Sequence, residues 1–442
     1  MGLNITILIT LLLALMGSGL YTGFSMAGVG IVGLEFLRNL GTAVGAILYN
    51  AANSFPLASV PMFLLMGQVV LRAGLGSRLY EGTSKWTSII PGGLLHTNIV
   101  SCSIFAAVSG SSPATAATIG SVAYPEQIKR GYNIRTIAGS LAAGGTLGIL
   151  IPPSITMIVY GAFVSESIGK LFIGGVLPGI ILSLMFMCYI GLSALRDPSQ
   201  VEGRQRLTKR YFRDAIVAWK DVLPTFSIII TIMGSIYAGI MTPTEAAAVS
   251  AFIAMILGIA LGKLNFTKSF ALLKDSAVET VRITSMVILL FAGAFILGGA
   301  LALLRIPAYL AMIITSLELS PLWIWFGVIV LYLVLGCFMT ALPMMLVTLP
   351  VTFPLIVELG GYNPIWFGVM LVILSEIAMI TPPIGINLFV IQGIAKGIDQ
   401  DVSLWTVARG SLPFIVCMLL LLALCTFMPD LVLFLPDQMS GS

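Results

Sequence analysis

Three landmarks of this chain occur twice at one spacing. Gly131-Tyr132-Asn133 returns as Gly361-Tyr362-Asn363, Pro152-Pro153 as Pro382-Pro383 and Pro113 as Pro343, each 230 positions on (131 to 361, 152 to 382, 113 to 343). A weaker echo pairs Met16-Gly17-Ser18 and Tyr21-x-Gly23 with Met233-Gly234-Ser235 and Tyr237-x-Gly239. An ordered set of matches at one offset marks an internal duplication, so the two halves must reach similar folds.

What each half can be is set by its apolar runs. Stretches near the ~20 residues that cross a bilayer core recur at 4–20, 57–70, 171–192, 224–240, 246–261, 285–304 and 413–433. With 58% of its 442 residues apolar and 9% charged, the chain suits no soluble fold of this size. Spanning helices follow, because a helix satisfies its own backbone polar groups in lipid. The first stretch lacks a basic leader and a convincing small-residue cleavage site, so it is expected to remain as a helix.

Parsed alike, each half holds three spans, a re-entrant hairpin, a proline-broken span and a last span. The first repeat is expected over 1–195, with a hairpin at about 98–123 and a broken helix at about 135–164. A cytoplasmic basic linker, 196–222, leads to the second repeat, 223–442, with a hairpin at about 323–354 and a broken helix at about 364–393. Breakers interrupt each hairpin run: Ser109-Gly110-Ser111-Ser112-Pro113 in the first, and the stretch from Gly336 to Pro343 in the second. Five net crossings per half is an odd number, so the second copy is inverted. The expected fold class is an all-α polytopic membrane protein of two inverted-topology repeats.

Charge tests this parse, since one miscounted crossing would scramble the sidedness of every later loop. With the 196–221 loop inside, 19 of the 22 basic residues fall on the cytoplasmic side, and Arg38, Lys170 and Arg305 fall outside. Both termini are then external. The first hairpin opens to the cytoplasm and the second to the outside.

The residues available exclude other chemistries. The net charge of +4 comes from basic residues spread over short loops, not from an aromatic-studded nucleic-acid patch. Cys102, Cys188, Cys337, Cys417 and Cys425 lie in apolar segments without paired ligand spacing, which indicates neither a disulfide framework nor a zinc site. His96 is the one histidine, and no motif for a metal or a Ser-His-Asp relay surrounds it. An enzyme is not expected.

Chemistry is expected where the helices break. Discontinuous helices in inverted repeats set ion and solute sites near the midplane, where half-helix N-termini favour anions and freed carbonyls favour cations. Between Gly144 and Ser154 two prolines remove N–H donors and glycines permit irregular backbone; residues 375–385 do the same in the second copy. A lone Pro-Pro is most simply a kink, but two in matched positions beside matched hairpins favour a site. Gly148, Ile151 and Pro153, with Ala378, Thr381, Pro383 and Ile384, are the candidate ligands for two hard monovalent cations, and Ser109, Ser112, Gly336 and Thr340 at the hairpin tips complete the shells. Sodium stands ahead of protons, because a proton relay wants several buried acids or histidines and the sequence offers chiefly Glu376. The candidate solute-binding groups are Ser111, Ser112, Thr115, Ser154, Glu376 and Asn387. No Arg lies mid-span, so a carboxylate would be met by helix N-termini and hydroxyls. Thr242-Pro243-Thr244-Glu245 instead reads as a capping box that starts a helix.

Over nearly its whole length the chain resembles the large membrane (M) subunit of tripartite ATP-independent periplasmic, or TRAP, transporters. The marks are Gly110-Ser111-Ser112-Pro113-Ala114-Thr115-Ala116, Gly148-Ile149-Leu150-Ile151-Pro152-Pro153-Ser154, Gly239-Ile240-Met241-Thr242-Pro243-Thr244-Glu245-Ala246-Ala247-Ala248 and Glu376-Ile377-Ala378-Met379-Ile380-Thr381-Pro382-Pro383-Ile384-Gly385-Ile386-Asn387. The resemblance implies a sodium-driven secondary importer of an organic acid, such as a C4-dicarboxylate or sialic acid, that works by an elevator movement in the bacterial inner membrane. It implies sodium as the coupling ion, a periplasmic substrate-binding protein as partner, and a small four-helix membrane subunit as a separate chain. One feature departs from the pattern: members often carry an acid after a Gly-x-Phe-x turn in the second hairpin, whereas Gly336-Cys337-Phe338-Met339 is followed here by Thr340. A stand-alone dicarboxylate- or citrate-type transporter, which shares hairpins and inverted repeats but needs no binding protein, is the alternative.

Overall fold

The computed structural model describes residues 2–197, 215–262, 265–398 and 401–439. Arg204, Arg206, Lys209, Arg210 and Arg213 of the basic linker, and Lys263, lie outside the described residues. All regular structure among the described residues is helical. Eight of the helical stretches are long and apolar enough to cross a membrane.

The first half runs through α1 (Gly2–Gly17), α2 (Thr22–Arg38), α3 (Ala43–Ala52), α4 (Ser59–Arg72) and the short α5 (Leu75–Thr87). The pair α6 (Leu94–Ser109) and α7 (Ser112–Lys129) follows, then α8 (Ile134–Leu150), α9 (Ile155–Val164) and the long α10 (Ile168–Arg196). The second half has four helices before its hairpin where the first has five: α11 (Trp219–Ile229), α12 (Pro243–Gly262), α13 (Phe266–Leu303) and the short α14 (Ile306–Ser316), then the pair α15 (Pro321–Gly336) and α16 (Ala341–Phe353), followed by α17 (Pro364–Met379), α18 (Ile386–Lys396) and α19 (Leu404–Phe427). A terminal α20 (Asp430–Met439) packs on α10. Helix α13 has 38 residues, about 57 Å at 1.5 Å per residue, and so outruns the 285–304 stretch read from hydropathy. Its early turns carry Lys268, Lys274, Asp275, Glu279 and Arg282.

Each broken helix starts on an asparagine cap. The Asn133 side chain accepts from the Arg135 N–H at 2.9 Å, and Asn363 accepts from those of Ile365 at 2.8 Å and Trp366 at 3.3 Å, which satisfies donors that the first turn leaves orphaned. The capping box also forms: the Thr242 N–H donates to the Glu245 carboxylate at 2.8 Å, and the Glu245 N–H to Thr242 Oγ1 at 3.3 Å.

Helices α8 and α17 are buried almost all round, α8 without interruption from Ile137 to Leu150 and α17 from Ile365 to Met379. A helix apolar on every face belongs at the centre of a bundle. The two broken helices cross there and exchange hydrogen bonds between halves. Tyr160 Oη on α9 donates to the Pro364 carbonyl at the start of α17, at 2.7 Å. Asn387 Nδ2 on α18 donates to the Ala142 carbonyl on α8, at 3.1 Å.

Two glycine contacts clasp helices from opposite halves. A Cβ at Gly23 of α2 would sit 2.9 Å from the Leu289 carbonyl oxygen of α13, and one at Gly30 would sit 2.7 Å from the Ile296 backbone. Likewise Gly139 of α8 abuts the Gly410 backbone of α19. Small residues of this kind let membrane helices approach closely, where no hydrophobic effect drives association.

Candidate functional site

None of the four hairpin helices reaches the ~30 Å of a hydrocarbon core. Helices α6 and α15 have 16 residues each, about 24 Å, and α7 has 18, about 27 Å; α16, with the π-helical segment Pro354–Leu359 that continues it, makes a stretch of 19 residues, about 28 Å at most and one of the eight counted above. The tips of both hairpins border one cavity of about 620 Å³. Ser109 to Ala114 come from the first tip and Phe338 to Pro343 from the second, with Ile149, Ile155 and Thr156 from the first break and Met379 and Ile386 from the second. Met16 and Leu20 to Thr22 at the α1–α2 junction, Leu64, Gly67, Gln68 and Leu71 on α4, Phe105 on α6, and Ile283, Met286 and Val287 on α13 also line the cavity. First-turn residues of α7, α9, α16 and α18 all line this space, so four partially positive helix ends meet there.

At the first tip the structure gathers seven of the sequence-derived candidates. Ser109 Oγ and Thr115 Oγ1 are 2.6 Å apart, and Thr115 Oγ1 donates to the Ser111 carbonyl at 2.9 Å. Gly148 presses on this turn: a Cβ there would lie 2.6 Å from the Ser111 oxygen and 2.7 Å from Thr115 Oγ1. The Pro153 carbonyl lies 3.0 Å from where a Gly110 Cβ would be. Asn387, from the other half, donates to Ser112 Oγ at 2.8 Å, and its buried Oδ1 has no partner. Ser109, Ser111 and Ser112 line the cavity; Thr115, Gly148, Pro153 and Asn387 stand behind them.

Two other first-break candidates point elsewhere. Ser154 caps α9 by accepting from the Met157 N–H at 3.3 Å, and Ile151 packs on Gly179 of α10. In the second copy Thr340 lines the cavity at the start of α16, with no side-chain cap bond. Gly336 packs on Ala378, where a Cβ would come within 2.5 Å of the alanine Cβ. Thr381 Oγ1 donates to the Ile377 carbonyl at 2.6 Å. Pro383 is exposed and Ile384 half-exposed, whereas Pro152 and Pro153 are buried. None of Gly336, Ala378, Thr381, Pro383 or Ile384 borders the cavity.

Glu376 is the one fully buried Asp, Glu, Lys or Arg among the described residues. It lies beside the Leu150 backbone, yet neither carboxylate oxygen has a well-aligned hydrogen-bond partner. It does not line the cavity.

The α1–α2, α4 and α13 parts of the wall escaped the sequence reading. Gln68 was the available signal: an amide in an otherwise apolar span demands a reason. Met286 and Leu64 gave none, because an apolar side chain facing a cavity looks like one facing lipid.

A helical bundle with matched hairpins that meet at one cavity beneath two broken helices defines an all-α polytopic membrane transporter. The chain belongs to the family described as "Tripartite ATP-independent periplasmic transporter, DctM component", whose profile matches residues 8–431. It is 34% identical over 412 residues to the isethionate TRAP transporter permease protein DctMQ of Oleidesulfovibrio alaskensis, covering 92% of this chain but only 63% of that protein. It is also 34% identical to the C4-dicarboxylate TRAP transporter large permease protein DctM of Vibrio cholerae, over 90% of both chains. Among solved structures, the Alcanivorax borkumensis YdaH transporter shares the fold with a TM-score of 0.57 at 13% identity, over 92% of this chain and 89% of that one.

Proposed function

We propose that the chain is the membrane permease of a sodium-driven, binding-protein-dependent importer of a small organic acid in the bacterial inner membrane, with both termini periplasmic. The hairpins and broken helices move as an elevator against α2, α4, α12 and α13. A periplasmic substrate-binding protein delivers the solute, and a small four-helix membrane subunit, as a separate chain, braces the frame. Two or more sodium ions bind behind the tips, with the first site built around Ser109, Ser112, Gly148 and Pro153 and the second around Gly336, Thr340, Ala378 and Thr381.

The observation that supports this most is the convergence of four half-helix N-termini on one cavity whose lining, among the described residues, contains no acidic or basic side chain. Such ends can hold a carboxylate without a buried cation. The cavity also extends to Leu71 and Ile283, each next in sequence to an arginine, Arg72 and Arg282. This supports a cavity on the cytoplasmic side of the hairpins, as in an inward-facing state. The test is uptake into proteoliposomes holding both membrane subunits, with the receptor added outside. Uptake should require a sodium gradient and the receptor, and Ser112→Trp should abolish it. Uptake indifferent to sodium would remove the coupling claim.

A further inference from the structure

Resting on that reading of the cavity, the polar groups in its lining divide by the body that carries them. Ser109, Ser111, Ser112, Thr156 and Thr340 belong to the hairpins and broken helices, which move with the solute. Gln68 belongs to α4. That helix packs on α12 and α13, and a Cβ at Gly258 of α12 would lie 3.2 Å from Val69, so α4 stays with the frame. Tyr21 and Thr22 also come from the frame, at the α1–α2 junction. Gln68 alone does so from the middle of a helix.

Its surroundings give this amide a use. Gln68 is the polar member of the α4 face that borders the cavity, between Leu64 and Leu71, and it makes no side-chain hydrogen bond among the described residues. An amide without a partner in an apolar span is costly unless water or a solute meets it. At the preceding residue the α4 backbone meets the first tip: a Cβ at Gly67 would lie 3.1 Å from the Ser109 carbonyl oxygen. The amide thus enters the cavity beside the tip whose hydroxyls and helix N-terminus face the solute. It can both donate and accept, so it can add a bond to a carboxylate or to a hydroxyl. A contact made in only one of two states strengthens binding in that state alone. We infer that Gln68 is a solute-binding residue supplied by the frame, in contact with the solute in this state and out of its reach once the tips have moved, so that it governs release and not capture.

The test compares Gln68→Leu, similar in size but unable to hydrogen-bond, with the unmodified chain, each purified with the small membrane subunit. Its melting temperature in detergent should not fall, because the amide has no partner in the chain to lose. Titration calorimetry in nanodiscs and sodium buffer, without the receptor, uses succinate and N-acetylneuraminate in turn; the variant should hold the better-bound probe roughly three- to tenfold more weakly. The concentration of loaded receptor that half-saturates uptake into proteoliposomes should stay within about twofold. Unchanged probe affinity, a parallel rise in the receptor requirement or a lowered melting temperature overturns the inference, as does an absence of binding by both probes to the unmodified chain. Sodium- and receptor-dependent uptake by the unmodified chain tests the broader function separately and can succeed where this inference fails.

Discussion

The two hairpins descend from one duplicated pattern, yet they are held by different chemistry. The first is locked by amides and hydroxyls. Asn98 and Gln127 form a reciprocal amide pair with bonds of 3.2 and 2.5 Å, Asn98 also donates to Ser140 on α8 at 2.8 Å, and Gln127 donates to Tyr80 Oη at 2.9 Å. The second is held mainly by rings: Trp325 and Trp366 lie 5.1 Å apart, the Trp325 indole donates to Thr426 at 3.0 Å, and one buried hydroxyl pair, Tyr332 with Thr348 at 2.6 Å, joins its legs. Its outer leg shows a helical stripe of exposed apolar residues, Trp323, Phe326, Val330 and Val334, whereas α6 is buried on nearly every face. A buried polar network fixes one geometry because each unmet bond is costly, while apolar contacts tolerate sliding. On this reasoning the first hairpin should resist local deformation more than the second.

That contrast can be broken most forcefully at the two glycines behind the tips. Gly148→Val forces a side chain into the Ser111 backbone and should cost about 3 kcal/mol, with loss of uptake. Gly336→Val meets the Ala378 Cβ at 2.5 Å and its Cα at 3.1 Å, with the Met344 sulfur at 4.0 Å, so it strikes one neighbouring residue rather than a hydrogen-bonded turn and should cost somewhat less, about 1–2 kcal/mol. Thermal unfolding of the two variants in detergent would check this, and equal losses would erase the distinction. Next comes Asn387→Ala, which removes the bond to Ser112 and leaves the Ala142 carbonyl without its side-chain partner; about 1–3 kcal/mol of destabilisation is expected, together with a raised KM in uptake assays. A smaller effect is expected from Ser109→Ala, about 1 kcal/mol for the hydroxyl pair with Thr115. Thr340→Ala, with no side-chain cap bond to lose, should be nearly neutral in unfolding. Smallest of all, Phe338→Ser, at a ring that is 65% exposed, should leave stability within about 0.5 kcal/mol, read in the same unfolding assay.

The asymmetry also explains what could be read from the sequence. The breaks at Pro152 and Pro382 and the Thr242–Glu245 box are local signals, written within a few residues, and the structure has each of them in place; Asn133 and Asn363, read from the sequence only as repeated landmarks, turn out to be helix caps. The polar first tip announced itself through Ser109, Ser111 and Ser112. The apolar part of the lining did not, because Met286, Leu64 and Met16 arrive from three distant helices and carry no polar mark. Periodicity cannot say whether an apolar side chain faces lipid, protein or solute. Ile151 and Ser154 are informative for the opposite reason. Their positions in the broken segment were legible, but whether each points to the cavity, to α10 or to its own helix depends on packing that spacing does not encode.

The glycine clasps have a consequence for how such a chain is made. Both join a helix of the first half to one of the second, α2 to α13 and α8 to α19. When the ribosome has released the first half into the bilayer, neither α2 nor α8 has its counterpart, and the grooves along Gly23, Gly30 and Gly139 stand open to lipid. Neither half alone can close these contacts, so they form only once the last spans have been translated. A gene cut between the halves would yield working protein only where both products are inserted together.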